Sequence, residues 1–260
     1  MSEEAPSQPP LRVRSLTRAF GGVRALDGVS FSVEQGRVLA VIGPNGSGKT
    51  TLFNLVSGVL GPSDGSVYLW ATEVGGWSVD RVARLGMSRT FQEVRLFRGF
   101  TVAENVIYAL GKGRREGIGD ILRLRSLKGL RGELYDEARS LLGKVGLQDK
   151  LDAPATALSY GQSKLVELVR ALATSPRLLL LDEPTAGLSP AAIDAVLGLL
   201  QPLPGSGMTI VFIEHNLSVV QRLATAVVVL DAGKVISQGS PEEVRSDPRV
   251  EEAYFGRRSE

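Results

Sequence analysis

One segment near the start of the chain limits its fold more than any other. Residues 43–50, Gly-Pro-Asn-Gly-Ser-Gly-Lys-Thr, follow the apolar run Val38–Ile42 and precede a second apolar stretch that begins at Leu52. The segment fits G-x-x-x-x-G-K-[ST], a phosphate-binding loop between a strand and a helix. Its glycines let successive N–H groups turn inward around phosphate oxygens at the positive end of the helix. A plain glycine-rich turn is the alternative, and the strand–loop–helix setting argues against it.

The loop predicts a nucleotide site with separate roles for its residues. Lys49 is expected to place a positive charge at the β- and γ-phosphates, and the Thr50 hydroxyl is expected to bind Mg²⁺. The predicted nucleotide contacts from this segment are Gly43, Pro44, Asn45, Gly46, Ser47, Gly48, Lys49, Thr50 and Thr51. The motif alone does not say which kind of nucleotide enzyme this is.

Composition excludes several other kinds of site. The 260 residues, 43% of them hydrophobic, are enough for one large or two small domains. The absence of cysteine excludes disulfides and cysteine nucleophiles, and a single histidine, His215, excludes multi-histidine metal sites. A formal net charge of +2 neither requires nor excludes a polyanionic partner. Residues 1–10 are acidic and proline-rich, which predicts a disordered tail rather than a secretory signal, and no apolar run reaches the roughly 18 residues that span a bilayer.

The predicted strands fall into two groups. The first group alternates apolar with polar residues, as half-buried antiparallel strands do. Its members are residues 11–16, 29–33 and 67–70. The second group is nearly continuous in β-branched residues or leucine, as are strands of a parallel sheet covered on both faces. Its members are residues 38–42, 178–181, 209–213 and, as a candidate, 227–230.

Helical spacing occurs between these runs, at residues 132–145 and 160–173. Residues 231–234, Asp-Ala-Gly-Lys, predict a hairpin turn, and residues 86–91 predict a further strand. Residues 111–131 are basic and punctuated by glycine. We expect them to form a surface excursion among the helices.

A second motif narrows the chemistry. The apolar residues 178–181 end in Asp182-Glu183-Pro184-Thr185, the form of a Walker B element. Asp182, at the carboxyl end of a strand parallel to the strand before the loop, is expected to hold Mg²⁺ through water. Glu183 is then placed to orient or deprotonate the water that attacks the γ-phosphate. Two acids that merely end a strand at solvent are the alternative, but beside a phosphate loop we expect nucleotide hydrolysis.

Residues 158–162, Leu-Ser-Tyr-Gly-Gln, come directly before a predicted helix. Ser159 is a good N-cap, and the helix would offer free N–H groups to an anion. These five residues alone favour an ordinary capped helix. Followed by that helix and then the Walker B strand, however, the segment resembles the ATP-binding-cassette (ABC) family, whose signature is LSGGQ. The resemblance extends along nearly the whole chain.

This resemblance implies an α/β fold of the P-loop NTPase (RecA-like) type. It implies a mostly parallel sheet core with an antiparallel β subdomain and an α-helical subdomain, together an ABC nucleotide-binding domain. We therefore expect one ABC ATPase domain over residues 11–260. Within it, the catalytic core with the antiparallel subdomain takes residues 11–91 and 175–240, the helical subdomain with the signature takes 92–174, and a C-terminal extension takes 241–260.

The resemblance also implies roles for single residues. Phe20 corresponds to an aromatic side chain that stacks on adenine, with a core phenylalanine as the alternative. The implied catalytic residues are Lys49, Glu183, the Q-loop glutamine Gln92 and the switch histidine His215. The implied Mg²⁺ ligands are Thr50, Gln92 and Asp182. The signature contributes Ser159, Gly161 and Gln162 to nucleotide binding.

Two departures from the family pattern narrow the resemblance further. Tyr160 replaces the first glycine of the signature, and Ser189, in the D-loop at residues 186–189, stands where many cassettes have aspartate. In the family, this aspartate is part of a communication route between the two nucleotide sites of a cassette pair, and the serine puts that route in doubt. Both changes are familiar in one branch of the family, the cassettes that serve uptake of branched-chain amino acids and the related cassettes for urea and similar polar solutes. Residues 88–92, 95–97, 101–106, 239–244 and 253–256 resemble the same branch.

The family mechanism implies partners. Two cassettes close head to tail, so that ATP lies between Lys49 of one and Ser159 of the other. The second cassette is a copy of this chain or a different ABC ATPase. Transmembrane permease subunits are expected to dock into a groove over residues 92–100, with burial of Leu96, Phe97 and Phe100 among the helices as the alternative.

The implied location is the cytoplasmic face of the membrane, as a peripheral subunit of an importer that receives solute indirectly from a periplasmic or extracellular solute-binding protein. An ABC ATPase acting on nucleic acid or ribosomes is a second hypothesis, because residues 111–131 are basic. Contact with anionic lipid headgroups or a solvated helix face would explain the basic character of that segment equally well. We expect no nucleic-acid partner. A nucleotide-binding module without turnover is the third hypothesis.

Overall fold

The computed structural model describes residues 8–113 and 128–255. The first seven residues of the expected N-terminal tail, and the centre of the basic segment at 114–127, lie outside the described residues. None of the helices in the described ranges is both long and apolar enough to cross a membrane. In chain order the strands are β1 (Leu11–Phe20), β2 (Val23–Val33), β3 (Val38–Ile42), β4 (Asp64–Leu69), β5 (Thr72–Glu73), β6 (Met87–Arg89), β7 (Leu178–Asp182), β8 (Thr209–Ile213), β9 (Ala226–Asp231) and β10 (Lys234–Gly239).

The strands form two sheets. An antiparallel sheet has the order β2-β1-β4-β5, and a six-stranded sheet has the order β10-β9-β3-β8-β7-β6. In the larger sheet, β9, β3, β8, β7 and β6 are mutually parallel, and β10 pairs antiparallel with β9 at one edge. The carboxyl ends of β3, β7 and β8 therefore meet at one edge of the sheet, where ligands bind in open α/β sheets.

Both faces of the larger sheet are covered, which explains the continuous apolar runs. Every residue of β3, β7 and β8 is buried. Alternate residues enter separate cores: Val38, Ala40 and Ile42 pack with the helices, whereas Leu39 and Val41 pack against the antiparallel sheet. A strand buried on both faces has no polar side, so its sequence does not alternate.

Several of the helices begin at polar caps, and α1 begins after Gly48. In chain order they are α1 (Lys49–Val56), α2 (Val79–Ala83), α3 (Val102–Gly113), α4 (Lys128–Gly143), α5 (Tyr160–Ala173), α6 (Pro190–Leu200), α7 (Leu217–Leu223), α8 (Pro241–Arg245) and α9 (Pro248–Phe255). Short 3-10 turns occupy Gln148–Lys150, Ala155–Ala157 and Pro204–Ser206. Helices α3, α4 and α5 pack on one another. Serine or asparagine side chains cap α5, α6, α7 and α8 by accepting a hydrogen bond from the first turn.

The predicted elements are present, with some different bounds. The predicted strand at 86–91 ends at Arg89, so Gln92 lies in the following loop rather than at the strand end. The predicted helix at 132–145 is α4, which ends at Gly143, shortly before Gly146 takes a left-handed φ of 70°. Strand β1 continues past residue 16 to Phe20, and a bulge at Ser15, with φ 45°, shifts its register with β2. The hairpin turn between β9 and β10 is confirmed, with left-handed φ at Ala232 and Gly233.

Candidate nucleotide-binding and hydrolysis site

The phosphate loop connects the end of β3 to the start of α1. Two of its glycines are required by close backbone approaches as well as by positive φ. A Cβ atom on Gly43 would lie 2.0 Å from the carbonyl oxygen of Leu230, and one on Gly48 would lie 2.5 Å from that of Ala25. Helix α1 begins without a side-chain cap and has no acidic residue in its first turn. Its N-terminal N–H groups are therefore suited to an anion.

Lys49 is buried within this loop. Its Nζ atom donates to the carbonyl oxygens of Gly43, at 2.8 Å, and Pro44, at 2.9 Å. Burial lowers the pKa of Lys49, while the nearby carboxylates of Glu183 and Asp182 raise it. The hydroxyl of Ser47 is also buried and has no hydrogen-bond partner within the described ranges. The ammonium of Lys49 thus bonds the loop backbone, and the Ser47 hydroxyl is a buried polar group available to a ligand.

Asp182 lies at the carboxyl end of β7 and is 4% exposed. The guanidinium of Arg89 lies 3.1 Å from its carboxylate and is itself buried. Arg89 also donates to the Asn54 side chain at 2.9 Å and to the Ser57 hydroxyl at 2.6 Å, both on or next to α1. Burial raises the pKa of Asp182, and Arg89 lowers it. Arg89 thus joins the Walker B strand to the helix that follows the phosphate loop, a role for which the sequence analysis gave no indication.

Glu183 and His215 come together from adjacent parallel strands. Asp182 of β7 pairs with Ile213 of β8, so the residues that follow each strand leave the sheet side by side. The Nε2 atom of His215 lies 3.0 Å from Oε1 of Glu183, and in the tautomer that carries its hydrogen on Nε2 the imidazole donates to the carboxylate. Glu183 has a left-handed φ of 49°, and its N–H donates to the Ile213 carbonyl at 3.1 Å. A left-handed glutamate is strained, and such strain persists only where the surroundings hold it.

The buried Glu214 joins the loop after β7 to the loop after β8. Its carboxylate is 2% exposed and accepts hydrogen bonds from the N–H of Thr185 at 3.0 Å, the N–H of His215 at 2.9 Å and the N–H of Asn216 at 3.2 Å. It also accepts from the Thr185 hydroxyl. No sequence motif indicated a role for Glu214. Its only sequence signal was an acid directly after the strand at 209–213, and sequence alone does not show whether an acid at a strand end faces solvent or is buried.

The signature residues lie at the start of α5. The Ser159 hydroxyl accepts from the Gln162 N–H at 3.3 Å, and the Gln162 side chain accepts from the Ser159 N–H at 3.0 Å, which forms a capping box. Gly161 packs on Leu188, and the exposed Tyr160 ring lies over Gly187. The hydrogen bonds described for the side chains of Ser159 and Gln162 join these two residues to each other rather than to the phosphate loop.

Two further predicted site residues are solvent-accessible. Phe20, at the end of β1, is 46% exposed, and the Arg18 guanidinium lies 4.8 Å from its ring centroid. This exposure favours a ring that is available for stacking over a core phenylalanine. Gln92 is exposed in the loop after β6. Ser189, at the D-loop position where aspartate is common, caps α6 by accepting from the Ala192 N–H at 3.4 Å.

Known proteins share this arrangement. A family model described as ABC transporter matches residues 26–186, and one described as branched-chain amino acid ATP-binding cassette transporter matches residues 234–260. The chain is 36% identical, over 96% of its length and 99% of the relative, to the high-affinity branched-chain amino acid transport ATP-binding protein BraF of Pseudomonas aeruginosa. A solved nucleotide-free ATP-binding cassette from an ABC transporter superposes with a TM-score of 0.81 at 34% identity, covering 96% of this chain and 100% of that one.

A second solved cassette, in its ADP conformation, superposes with a TM-score of 0.80, also at 34% identity and with the same coverage. The chain belongs to the ABC transporter family, within its class of ATP-binding subunits. It is a nucleotide-binding ATPase of that family. The expected P-loop fold is thereby confirmed.

Proposed function

We propose that this chain is the ATP-hydrolysing subunit of an importer for branched-chain amino acids. The contact between Glu183 and His215, at the same sheet edge as Lys49 and Asp182, is the observation that carries the hydrolytic role. The solute is supported by the name of the relative and by the family model that matches residues 234–260. A pure binding module has no need for such a pair beside its phosphate loop.

The residues present fit Mg²⁺. Thr50 is exposed at the start of α1, Asp182 ends β7, and the described residues contain no cluster of three or more acidic, histidine or cysteine side chains that would form an all-protein cage. Mg²⁺ is typically held by one or two protein groups together with substrate phosphates and water, which suits this sparse set. Thr50, Asp182 and, from the loop after β6, Gln92 would hold the ion. When bound, it would neutralise charge on the β- and γ-phosphates.

The hydrolytic step then follows from the positions of the side chains. Glu183 orients the attacking water and accepts its proton, because its carboxylate is directed out of the sheet edge beside the loop. His215 contacts the γ-phosphate and holds the Glu183 carboxylate through the 3.0 Å contact. Lys49 exchanges its two loop carbonyls for phosphate oxygens. Phe20 stacks on adenine with an exposed ring face.

The signature residues act on a second nucleotide. Ser159, Gly161 and Gln162 lie at the N-terminal end of a 14-residue helix, where the helix dipole favours an anion. Since the side chains of Ser159 and Gln162 bond each other and not this chain's phosphate loop, we place the target of the signature residues in a second cassette that closes head to tail, with this chain or a related ATPase as the partner. ATP would then join the two surfaces, and its hydrolysis would release them.

A rigid aromatic surface is suited to the membrane subunits. Phe97 and Phe100, 42% and 37% exposed, form a ring cluster with Tyr108, with the Phe97 centroid 5.3 and 5.0 Å from the other two. The fully buried Asn105 fixes the backbone of this loop by bonding both the N–H and the carbonyl of Phe97, at 2.9 and 3.2 Å. Leu96 instead is partly buried and packs against the core. Exposed rings on a fixed loop favour an apolar helix as partner, and we place the chain at the cytoplasmic face of a membrane.

The division of the chain is part of the same proposal. We assign residues 11–91 and 175–240 to the catalytic core, residues 92–174 to a helical subdomain and residues 241–260 to a C-terminal extension. Purification of the full chain from its native membrane, followed by identification of attached subunits, tests the assignment. We expect transmembrane subunits to copurify with the chain. We also expect leucine uptake to be lost with Lys49→Ala but kept with Lys144→Ala, a control at an exposed site. Urea uptake instead would overturn the solute, and recovery with nucleic acid or ribosomes would overturn the transport role.

A further inference from the structure

A buried lysine on the signature helix contacts the backbone of the expected catalytic base. Lys164 of α5 is 6% exposed, and its Nζ atom donates to the carbonyl oxygen of Glu183 at 2.7 Å and to that of Ala186 at 3.1 Å. The ring of Tyr160, one helical turn earlier, lies 5.6 Å from the same ammonium. A buried ammonium is costly unless it is paired, so these two carbonyls account for its position.

The contact falls at the strained residue of the site. Glu183 has a φ of 49°, and its carbonyl also accepts from the Ala186 N–H at 3.2 Å, which closes a tight turn directly after the Walker B strand. The N–H of Glu183 is bonded to the neighbouring strand β8. The hydrogen bond from Lys164 therefore adds a second anchor from a different element, and a strained backbone requires such support.

The rest of the helix start lies on the same loop. A Cβ atom on Gly187 would approach the Tyr160 ring to 3.1 Å, and one on Gly161 would approach the Leu188 side chain to 3.3 Å. Close packing at Tyr160 and Gly161, together with the Lys164 hydrogen bonds, joins the first turns of α5 to residues 183–188. Because packed interiors deform little, a shift of the helix start moves this loop with it.

We propose that Lys164 is a positioning residue that couples the two nucleotide sites of the closed pair. The inference rests on the proposed function, in which Ser159 contacts the nucleotide held by the partner cassette. Ser159 and Lys164 belong to one helix, so engagement of the partner's nucleotide by Ser159 sets the backbone of Glu183 in this chain's own site. Glu183 is then correctly oriented as the base only when Ser159 also contacts the nucleotide held by the partner cassette.

Kinetics of the full chain test this role. Lys164→Met keeps the apolar stem and removes the ammonium, and Lys144→Met removes an exposed lysine near the end of α4 as a matched control. We expect Lys164→Met to lower kcat about tenfold or more with KM changed less than about threefold, because the nucleotide contacts remain. The proposed coupling also predicts a sigmoidal dependence of rate on ATP concentration for the unmodified chain, and Lys164→Met should lose that shape. Lys164→Arg, which keeps the charge and the donors, should recover part of kcat. A kcat for Lys164→Met equal to that of the control would overturn the proposal.

Amide hydrogen exchange gives a readout that does not need turnover. The N–H groups of Ala186 and Leu188 donate to Glu183 and Thr185 within the loop, and we expect both to exchange about tenfold faster in Lys164→Met than in Lys144→Met. Equal protection in the two variants would also overturn the proposal. If the unmodified chain and its complex hydrolyse no ATP, the proposed function fails, while the exchange of these two amides still decides whether Lys164 positions the loop.

Discussion

The Nε2 atom of His215 lies 3.0 Å from the Oε1 atom of Glu183, although 32 residues separate them in the chain. The contact arises because β7 and β8 are parallel neighbours whose ends are in register. It places an imidazole and a carboxylate at the edge of the sheet where the phosphate loop begins. A polar pair at this position can both position a water molecule and respond to a terminal phosphate.

Replacement of His215 tests that contact. We expect His215→Ala to lower kcat about a hundredfold, because Glu183 loses the partner that orients it, while the phosphate loop is unchanged. Initial rates at saturating ATP and Mg²⁺, with nucleotide affinity measured separately, check this result. Gln221→Ala, which changes an exposed residue of the following helix α7, serves as the control. A variant without histidine that keeps the full rate would remove His215 from the mechanism.

Glu214 should contribute to both stability and activity. Its carboxylate accepts four hydrogen bonds while buried, so Glu214→Gln places an amide donor against groups that also donate. We expect a loss of about 2 kcal/mol in the free energy of unfolding, together with a lower kcat. Urea denaturation measures the stability, with the exposed Glu133→Gln as the control. Equal stability of the two variants would show that these hydrogen bonds are not needed.

The buried pair of Arg89 and Asp182 predicts non-additive effects. Arg89→Met leaves the Asp182 carboxylate without its counter-charge, and we expect a loss of about 3 kcal/mol in the free energy of unfolding of the nucleotide-free chain. The double variant Arg89→Met with Asp182→Asn removes the unpaired charge and should recover part of that loss. A double-mutant cycle by chemical denaturation measures the coupling. Additive losses would contradict a direct interaction.

Glu167 gives a prediction for pH. It lies buried in α5, where burial raises its pKa and the hydrogen bond from the Arg95 N–H lowers it less. The folded state therefore holds its proton to higher pH than the unfolded state, so this group's contribution to stability falls as pH rises from the unfolded pKa through the folded one. Glu167→Gln should increase stability at pH 7 more than at pH 4. Denaturation at both pH values, against Glu133→Gln, checks the sign, and an equal effect at both would contradict it.

Much of this site was readable from local sequence because its parts are local. The loop at 43–51, the acids that end β7 and the cap at Ser159 each depend on a few consecutive residues and on the element that precedes them. Continuous apolar runs predicted parallel strands because burial on both faces removes the polar side. Register between parallel strands then brings Glu183 to His215 without any further signal.

The side chains that hold the site together were not readable in this way. Arg89, Lys164 and Glu214 are charged residues whose partners lie 93, 19 and 29 residues away, at Asp182, Glu183 and Thr185. A charged residue in a sequence is usually exposed, and only the packing of β6, α5 and β8 around one sheet edge makes these three buried. The bulge at Ser15 was missed for a similar reason, since it depends on pairing with a neighbouring strand.

ATP-dependent association of the Glu183→Gln variant tests the central claim most directly. The change keeps the shape of the side chain but removes its basic oxygen, so nucleotide should bind without being cleaved. Sedimentation with ATP and Mg²⁺ is predicted to show stable pairing of cassettes, by the isolated chain alone or by the isolated chain mixed with a second cassette that copurifies with the membrane subunits, and no pairing with ADP. A variant that stays monomeric at saturating ATP in both preparations, or that hydrolyses ATP at the unmodified rate, would contradict the account.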